Sequence, residues 1–259
     1  MGQTLIEASQ VTMAYETGIP PQLSGVDLTL REGEFLCLVG PSGCGKSTLL
    51  RLIAGVLQPT EGTITVFGQH RIPGWSQLSF VPQDAALLPW RNVLDNVKLP
   101  LEIDSGLNPA PIRQKAHAAL DLVNLTGVAA KYPHQLSGGM RQRVALARAL
   151  VSDARVILLD EPFASLDAIT RSQMHLELLR IRNQTGLSLL LVTHNIFEAV
   201  FLADRVLVMG EKPGRIMGTI PITLPNDRSL KLLGTPEFGR LVGAVQTLLE
   251  QGWSDYYDR

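Results

Sequence analysis

The residues most able to do chemistry run from Gly40 to Thr48: Gly40, Pro41, Ser42, Gly43, Cys44, Gly45, Lys46, Ser47 and Thr48. Gly40 through Ser47 fit the pattern G-x-x-x-x-G-K-[ST]. Glycines at 40, 43 and 45 let the backbone curl so that its N–H groups point inward, and a helix starting there adds its positive end. Such a loop binds the phosphates of a nucleotide. Lys46 can reach the β- and γ-phosphates, and the Ser47 hydroxyl suits Mg²⁺. A glycine-rich turn with a chance lysine is the plain alternative. The strand expected before the loop and the helix expected after it disfavour that alternative.

A second group of residues supplies the acid. Val156, Ile157, Leu158 and Leu159 form an apolar run that delivers Asp160 and Glu161 to a strand end. Asp160 suits Mg²⁺, through water. Pro162 prevents a regular continuation and biases Glu161 toward an extended conformation. Glu161 then turns toward the γ-phosphate and activates the attacking water. Together the two groups define a phosphate-loop nucleotide hydrolase and leave kinases, GTPases, helicases and transporter ATPases open. The Asn-Lys-x-Asp motif expected of a GTPase is missing from the sequence.

The elements that must position these residues follow from the apolar pattern. Phe35 to Val39 reads as a strand buried on both faces, Ser47 to Val56 as a helix and Thr63 to Phe67 as a strand. Beyond Gln83, helical segments are expected: a loop at 106–111, a helix over Ile112 to Val123, and an amphipathic helix over Arg141 to Val151. Strands return at Arg155 to Leu159 and Ser188 to Thr193, with helix between. From Pro225 onward the tail is polar, with a helix-like stretch from Glu237 to Gln251.

Composition narrows the class further. The chain has 259 residues, a net charge of -1 and 45 % apolar residues, which suits one composite globular domain or two small ones. A pI near 6.5 argues against nucleic acid as a partner. Cys37 and Cys44 are the only cysteines, so a disulfide framework is not expected and a reducing cytoplasm fits. Met1 to Ile6 has no basic or long apolar region of a secretory signal, and no run nears the roughly 20 apolar residues that span a bilayer. Work at a membrane would therefore go through a partner.

Leu136, Ser137, Gly138, Gly139 and Met140 decide among the hydrolases. They resemble the LSGGQ signature of ABC ATPases, with Met140 in place of the final Gln. The resemblance covers about Leu5 to Leu224 and continues through the other motifs of that family. Tyr15 resembles the aromatic that stacks on adenine, and Gln83 the glutamine that contacts Mg²⁺ and the attacking water. Ala164 to Asp167 resembles the D-loop, and His194 the switch histidine at the γ-phosphate, followed here by Asn195 where Asp is common. Alone, each would read as an ordinary surface or structural residue.

Leu87 to Val93 with Asn96 and Val97, the run Leu136 to Arg143, Thr170 to Met174 and Ala199 to Gly214 resemble ATPases of the nitrate/sulfonate/taurine importer family. The resemblance implies a P-loop α/β core of ABC ATPase type, with an antiparallel β subdomain and an inserted α-helical subdomain. The core would span 1–86 and 153–224, the helical signature subdomain 87–152, and a C-terminal helical extension 225–259. It further implies ATP and Mg²⁺ as ligands, Ser47, Gln83 and Asp160 at the metal, and Glu161, His194, Gln83 and Lys46 in catalysis. Tyr15, the loop from Gly40 to Thr48, and Ser137, Gly138 and Gly139 would bind nucleotide. A second copy would complete a head-to-tail dimer in which Ser137 and its glycines meet the other copy's ATP and Asp167 crosses the interface. Transmembrane permease subunits would dock through Leu87 to Val97, with Trp90 as an exposed apolar anchor or, alternatively, as plain core. A solute-binding protein would act indirectly. The implied location is peripheral, on the cytoplasmic face of the inner membrane. The cargo would be a sulfonate, taurine or nitrate, or alternatively a pyrimidine precursor of thiamine. A soluble DNA-repair or translation ATPase and an exporter subunit are rival readings.

Overall fold

The computed structural model describes residues 2–16, 18–70, 77–103 and 109–257, with side chains described through 251 except at 109. In chain order the elements are β1 (Thr4–Met13), β2 (Leu23–Arg31), β3 (Phe35–Val39), α1 (Lys46–Ala54), β4 (Glu61–Val66), β5 (Gln69–His70) and β6 (Leu78–Val81). Then come α2 (Val93–Ile103), α3 (Pro109–Leu122), α4 (Gly138–Leu150), β7 (Val156–Asp160), α5 (Ala168–Thr185), β8 (Ser188–Thr193) and α6 (Ile196–Leu202). Last are β9 (Arg205–Met209), β10 (Ile216–Pro221) and α7 (Pro236–Tyr257), with short 3-10 turns at Pro133–Gln135 and Leu230–Gly234. They form two compact units, residues 1–74 with 188–259 and residues 75–187.

The first unit holds an antiparallel sheet in the order β2-β1-β4-β5. In β2, Val26, Leu28 and Leu30 point inward while Asp27 and Arg31 are exposed, the period-two pattern of a sheet buried on one face. The unit's other strands run in the order β10-β9-β3-β8, with β9, β3 and β8 parallel and β10 antiparallel to β9. All residues of β3 and β8 are buried, as a parallel sheet requires. Helix α1 stops at Ala54, two residues short of the expected Val56, because Gly55 takes a left-handed φ of 97° and its N–H caps the Arg51 and Leu52 carbonyls.

The tail is a docked helix. Phe238, Leu241, Val242, Val245 and Leu249 form a buried stripe on α7, which packs on β9, β10 and α6. A β-carbon on Gly218 would lie 2.7 Å from Leu248 Cδ2, so helix and strand are in close contact there. Arg228, also in the tail, is buried and donates to the carbonyls of Phe201 (2.7 Å) and Ala203 (2.8 Å), placing a cation at the C-terminal end of α6.

The second unit holds the parallel pair β6–β7 and helices α2 to α5. Residues 106–108 of the expected loop lie outside the described residues, whereas Pro109 to Pro111 belong to the first turn of α3. Proline fits there because its missing N–H has no intrahelical acceptor in that turn. Helix α4 starts at Gly138 instead of Arg141, and it is buried on most of its surface, with Gly139, Gln142, Val144, Ala145, Leu146, Ala147 and Ala149 inside. A buried network ties three helices: Glu177 on α5 accepts from Asn124 beyond α3 (2.7 Å) and pairs with Arg143 on α4 (3.2 Å).

Candidate functional site

In the first unit, β3 feeds directly into the glycine-rich loop. Lys46, 4 % exposed, folds back across it and donates to the carbonyls of Gly40 (2.9 Å) and Pro41 (2.7 Å). Gly43 and Gly45 adopt φ of 83° and 108°, a backbone that side-chain-bearing residues disfavour. A β-carbon on Gly40 would stand 2.7 Å from the Met209 carbonyl and 3.0 Å from Cys44 Sγ. The loop is thus packed against β9 with no room for a side chain. The first turn of α1 carries no acidic residue, so the positive helix end is left for an anion. Buried Lys46, the helix end and the curled loop together fit a chain of phosphates.

Cys44 is buried in this loop, 3.9 Å from Lys46 Nζ. Burial pushes its thiol up in pKa against the opposing pull of Lys46, so it stays neutral at physiological pH. Cys37 is likewise free, buried and raised, chiefly by burial. Both cysteines act as small packing residues.

Two further candidates of this unit converge on the loop. The Tyr15 ring is 60 % exposed and its hydroxyl lies 3.1 Å from Thr48 Oγ1. Strand β8 pairs in parallel with β3, Thr193 opposite Val39, so His194 and Gly40 leave neighbouring strands at the same edge. His194 is exposed, and Asn195 caps α6 by accepting from the Glu198 N–H at 3.2 Å. Asn serves this cap as well as Asp does, which explains why the substitution is tolerated.

Two residues that sequence reasoning missed support the loop from behind. Gln22 Nε2 donates to the Gly43 carbonyl at 2.6 Å. Gly214 bonds the same Gln22 backbone, its N–H donating to the carbonyl at 2.9 Å, and a β-carbon on it would run into the Cys44 carbonyl. Nothing in the sequence links positions so far apart.

In the second unit the acidic pair and Gln83 share an edge in the same way. Val81 pairs with Leu159 across the parallel β6–β7 ladder, so Gln83 and Glu161 emerge side by side. Asp160 ends the buried strand at 5 % exposure, while Gln83 is exposed. Glu161 departs from expectation: its φ is 44°, left-handed instead of extended. A tight turn follows directly, in which the Ala164 N–H donates to the Glu161 carbonyl at 3.2 Å.

Ser137 caps α4, its hydroxyl accepting from the Met140 N–H at 3.3 Å. Gly139 is packed so closely that a β-carbon would lie 2.6 Å from Thr170 Cγ2, and Gly138 lies next to Leu166. Asp167 caps α5 by accepting from the Ile169 (3.1 Å) and Thr170 (3.0 Å) N–H groups, and the Thr170 hydroxyl, followed by these N–H groups, holds its carboxyl below the usual range. The signature residues are not brought to Gln83. They sit at the opposite end of α4 from Arg148, whose guanidinium donates to the carbonyls of Ala85 (2.8 Å) and Ala86 (2.9 Å), just beyond Gln83. Arg148 carried no expectation from the sequence, and Asn96, expected only as part of the importer-like segment, clamps the loop around Trp90.

A family model described as ABC transporter matches residues 23–164, taking in the phosphate loop, Gln83, the signature and the acidic strand. The chain belongs to the ABC transporter family. It is 46 % identical over 236 residues to an aliphatic sulfonates import ATP-binding protein of Rhodopseudomonas palustris, covering 91 % of this chain and 80 % of that protein. Identity is 42 % to the taurine import ATP-binding protein of Escherichia coli K12 (88 % of this chain, 92 % of that protein). It is also 42 % to the nitrate import ATP-binding protein of Synechocystis (88 % and 87 %). The expected importer branch is therefore the right one, and the ABC protein is an ATP-hydrolysing transporter subunit.

Solved structures agree on the fold. The dimeric ATP-binding cassette MJ0796, in a post-hydrolysis state bound to ADP and Pi, has a TM-score of 0.75 at 31 % identity, covering 85 % of this chain and 100 % of that one. The protein cbiO1 of Clostridium perfringens, part of the ABC transporter complex cbiONQ, has a TM-score of 0.78 at 26 % identity, covering 93 % of this chain and 95 % of that one. These neighbours uphold the expected α/β fold of ABC ATPase type, and with it ATP binding.

Proposed function

We propose that this ATPase drives uptake of a small oxyanion, a sulfonate such as taurine or nitrate, by pairing with a second copy and with membrane permease subunits. The observation that carries the permease contact is Trp90. It is 72 % exposed, which sets aside the plain-core reading. The loop bearing it is nevertheless fixed: Asn96, fully buried, accepts from the Leu88 N–H (2.7 Å) and donates to the carbonyls of Leu88 (3.1 Å), Arg91 (3.0 Å) and Asn92 (3.0 Å). An exposed indole on a rigid loop is the kind of anchor that a partner's pocket takes. No helix among the described residues is long and apolar enough to cross a membrane. The likeness to import ATP-binding proteins supports a peripheral place on the cytoplasmic face of the inner membrane. The oxyanion class comes from the relatives named for taurine, nitrate and aliphatic sulfonates.

Within the site, the loop amides from Gly40 to Thr48 and Lys46 hold the ATP phosphates, and Tyr15 stacks on adenine. The oxygen donors of Ser47, Gln83 and Asp160 suit Mg²⁺, a hard cation, which when bound draws charge from the terminal phosphate oxygens. Glu161 takes a proton from the attacking water, while His194 and Lys46 stabilise the phosphoryl group in flight. Ser137, Gly138 and Gly139 of each copy meet the γ-phosphate on the other, head to tail. Closure follows because ATP binds the closed dimer better than the open one. Hydrolysis removes that bridge and the dimer opens.

The cargo is tested by uptake in the native host, comparing wild type with Glu161→Gln across labelled taurine, alkanesulfonates, nitrate and a hydroxymethylpyrimidine. Loss of sulfonate or nitrate uptake alone is expected. Loss of hydroxymethylpyrimidine uptake would replace the oxyanion with a thiamine precursor, and no loss at all would overturn the cargo class.

A further inference from the structure

Helix α4 has functional groups at both ends. At its start the Ser137 cap and the glycines present N–H groups. Roughly 16 Å further along, at 1.5 Å per residue, Arg148 leaves the same helix. Its guanidinium makes two parallel donations to successive carbonyls, Ala85 at 2.8 Å and Ala86 at 2.9 Å. Ala86 has φ of 45°, a left-handed backbone that an L-residue with a side chain adopts only when its surroundings hold it there. The two bonds do so from one side. From the other, Asn96 of α2 fixes the Leu88 N–H and the carbonyls of residues 88, 91 and 92. The stretch from Ala85 to Asn92 is therefore gripped by two helices, and it carries the exposed Trp90.

We propose that Arg148 is a positioning residue that makes the Ala85–Asn92 segment and the signature helix move as one body. Displacement of Trp90 by the permease then reaches Ser137 and Gly139 at the far end of α4, and closure of the ATP dimer reaches the permease by the same route. This role rests on the permease docking proposed above. It draws on the planar fork of a guanidinium, which fixes the directions of both bonds at once, whereas a rotating ammonium leaves them free to shift. The link is a physical one, a helix rigid over its length and clamped at a defined point.

The test uses Arg148→Gln and Arg148→Lys in the chain co-purified with its permease subunits in lipid nanodiscs, and in the chain alone, with MgATP as the probe. Three quantities are read: kcat and KM for ATP in each setting, and amide hydrogen exchange of residues 83–92. For Arg148→Gln we expect KM within about twofold of wild type in the complex. The ratio of complex to isolated kcat should fall about tenfold toward one, and exchange should rise across 85–92 but not in α4. Arg148→Lys, which folds with the charge retained, should fall between. An unchanged ratio would overturn the role, as would parallel loss of rate in both settings, which marks a merely structural residue. Unchanged exchange would show that no clamp exists. A wild-type chain whose rate is indifferent to the permease would overturn the docking reading itself and this role with it, a result distinct from a variant that fails against a responsive wild type.

Discussion

Gly40→Ala tests how tightly the phosphate loop is fixed. The added β-carbon would lie 2.7 Å from the Met209 carbonyl, against 3.4 Å for ordinary contact, so something must move by about 0.7 Å. Met209 cannot give way easily, because it is paired in register with Ile216 at the end of β9. The loop itself must shift. Overpacking of this kind costs about 1–3 kcal/mol. If the cost falls on the bound state, affinity drops by about one to two decades at 1.4 kcal/mol per decade. Equilibrium titration with a fluorescent ATP analogue reads the change. Two glycines calibrate it. Gly43→Ala meets no atom within 4 Å and suffers only its φ of 83°, about 1–2 kcal/mol of backbone strain. Gly243→Ala meets nothing, has no such φ and lies within α7, so it should leave affinity unchanged. If Gly40→Ala binds the analogue within twofold of wild type, steric fixation of the loop by β9 is refuted.

Asn96→Ala takes its side-chain bonds from the Leu88 N–H and the Arg91 carbonyl at a fully buried position, while the Leu88 and Asn92 carbonyls keep the Arg91 and Asn96 backbone N–H groups, so a loss of about 2–4 kcal/mol is expected in urea unfolding, with faster tryptic cleavage at Arg91. A midpoint indistinguishable from wild type would show that the loop does not depend on this clamp. Asp167 gives a pH dependence. Its folded-state pKa is depressed, so its contribution is fully present above the unfolded value of about 3.9 and is lost as pH falls through the folded value. The stability gap between wild type and Asp167→Asn should therefore be larger at pH 7 than at pH 3, and an equal gap at both would contradict the charged cap.

Whatever is contiguous in the sequence was legible. The phosphate loop and the buried strands before it and before Asp160 each depend on neighbours within a few residues, so type and spacing sufficed. Helix starts were less so. Two glycines at 138 and 139 are poor helix formers, yet the Ser137 cap starts α4 there. Glu161 was misread because the proline rule is a bias of the local chain, while the folded strand end enters the turn to Ala164 through a left-handed residue. Gln22, Gly214 and Arg148 were invisible for a different reason: each acts on a backbone carbonyl, which carries no side-chain signature, and each is 21 or more residues from its partner. The fold brought them together, and no spacing rule could.

The central claim is that Glu161 hydrolyses ATP held by the Lys46 loop. It is tested most directly by phosphate release from wild type and Glu161→Gln in the purified transporter at saturating MgATP, with bound nucleotide measured in parallel. The account predicts that Glu161→Gln retains ATP, accumulates as an ATP-dependent dimer and releases phosphate at least about a hundredfold more slowly, within the range general-base loss gives. Turnover at the wild-type rate would contradict it.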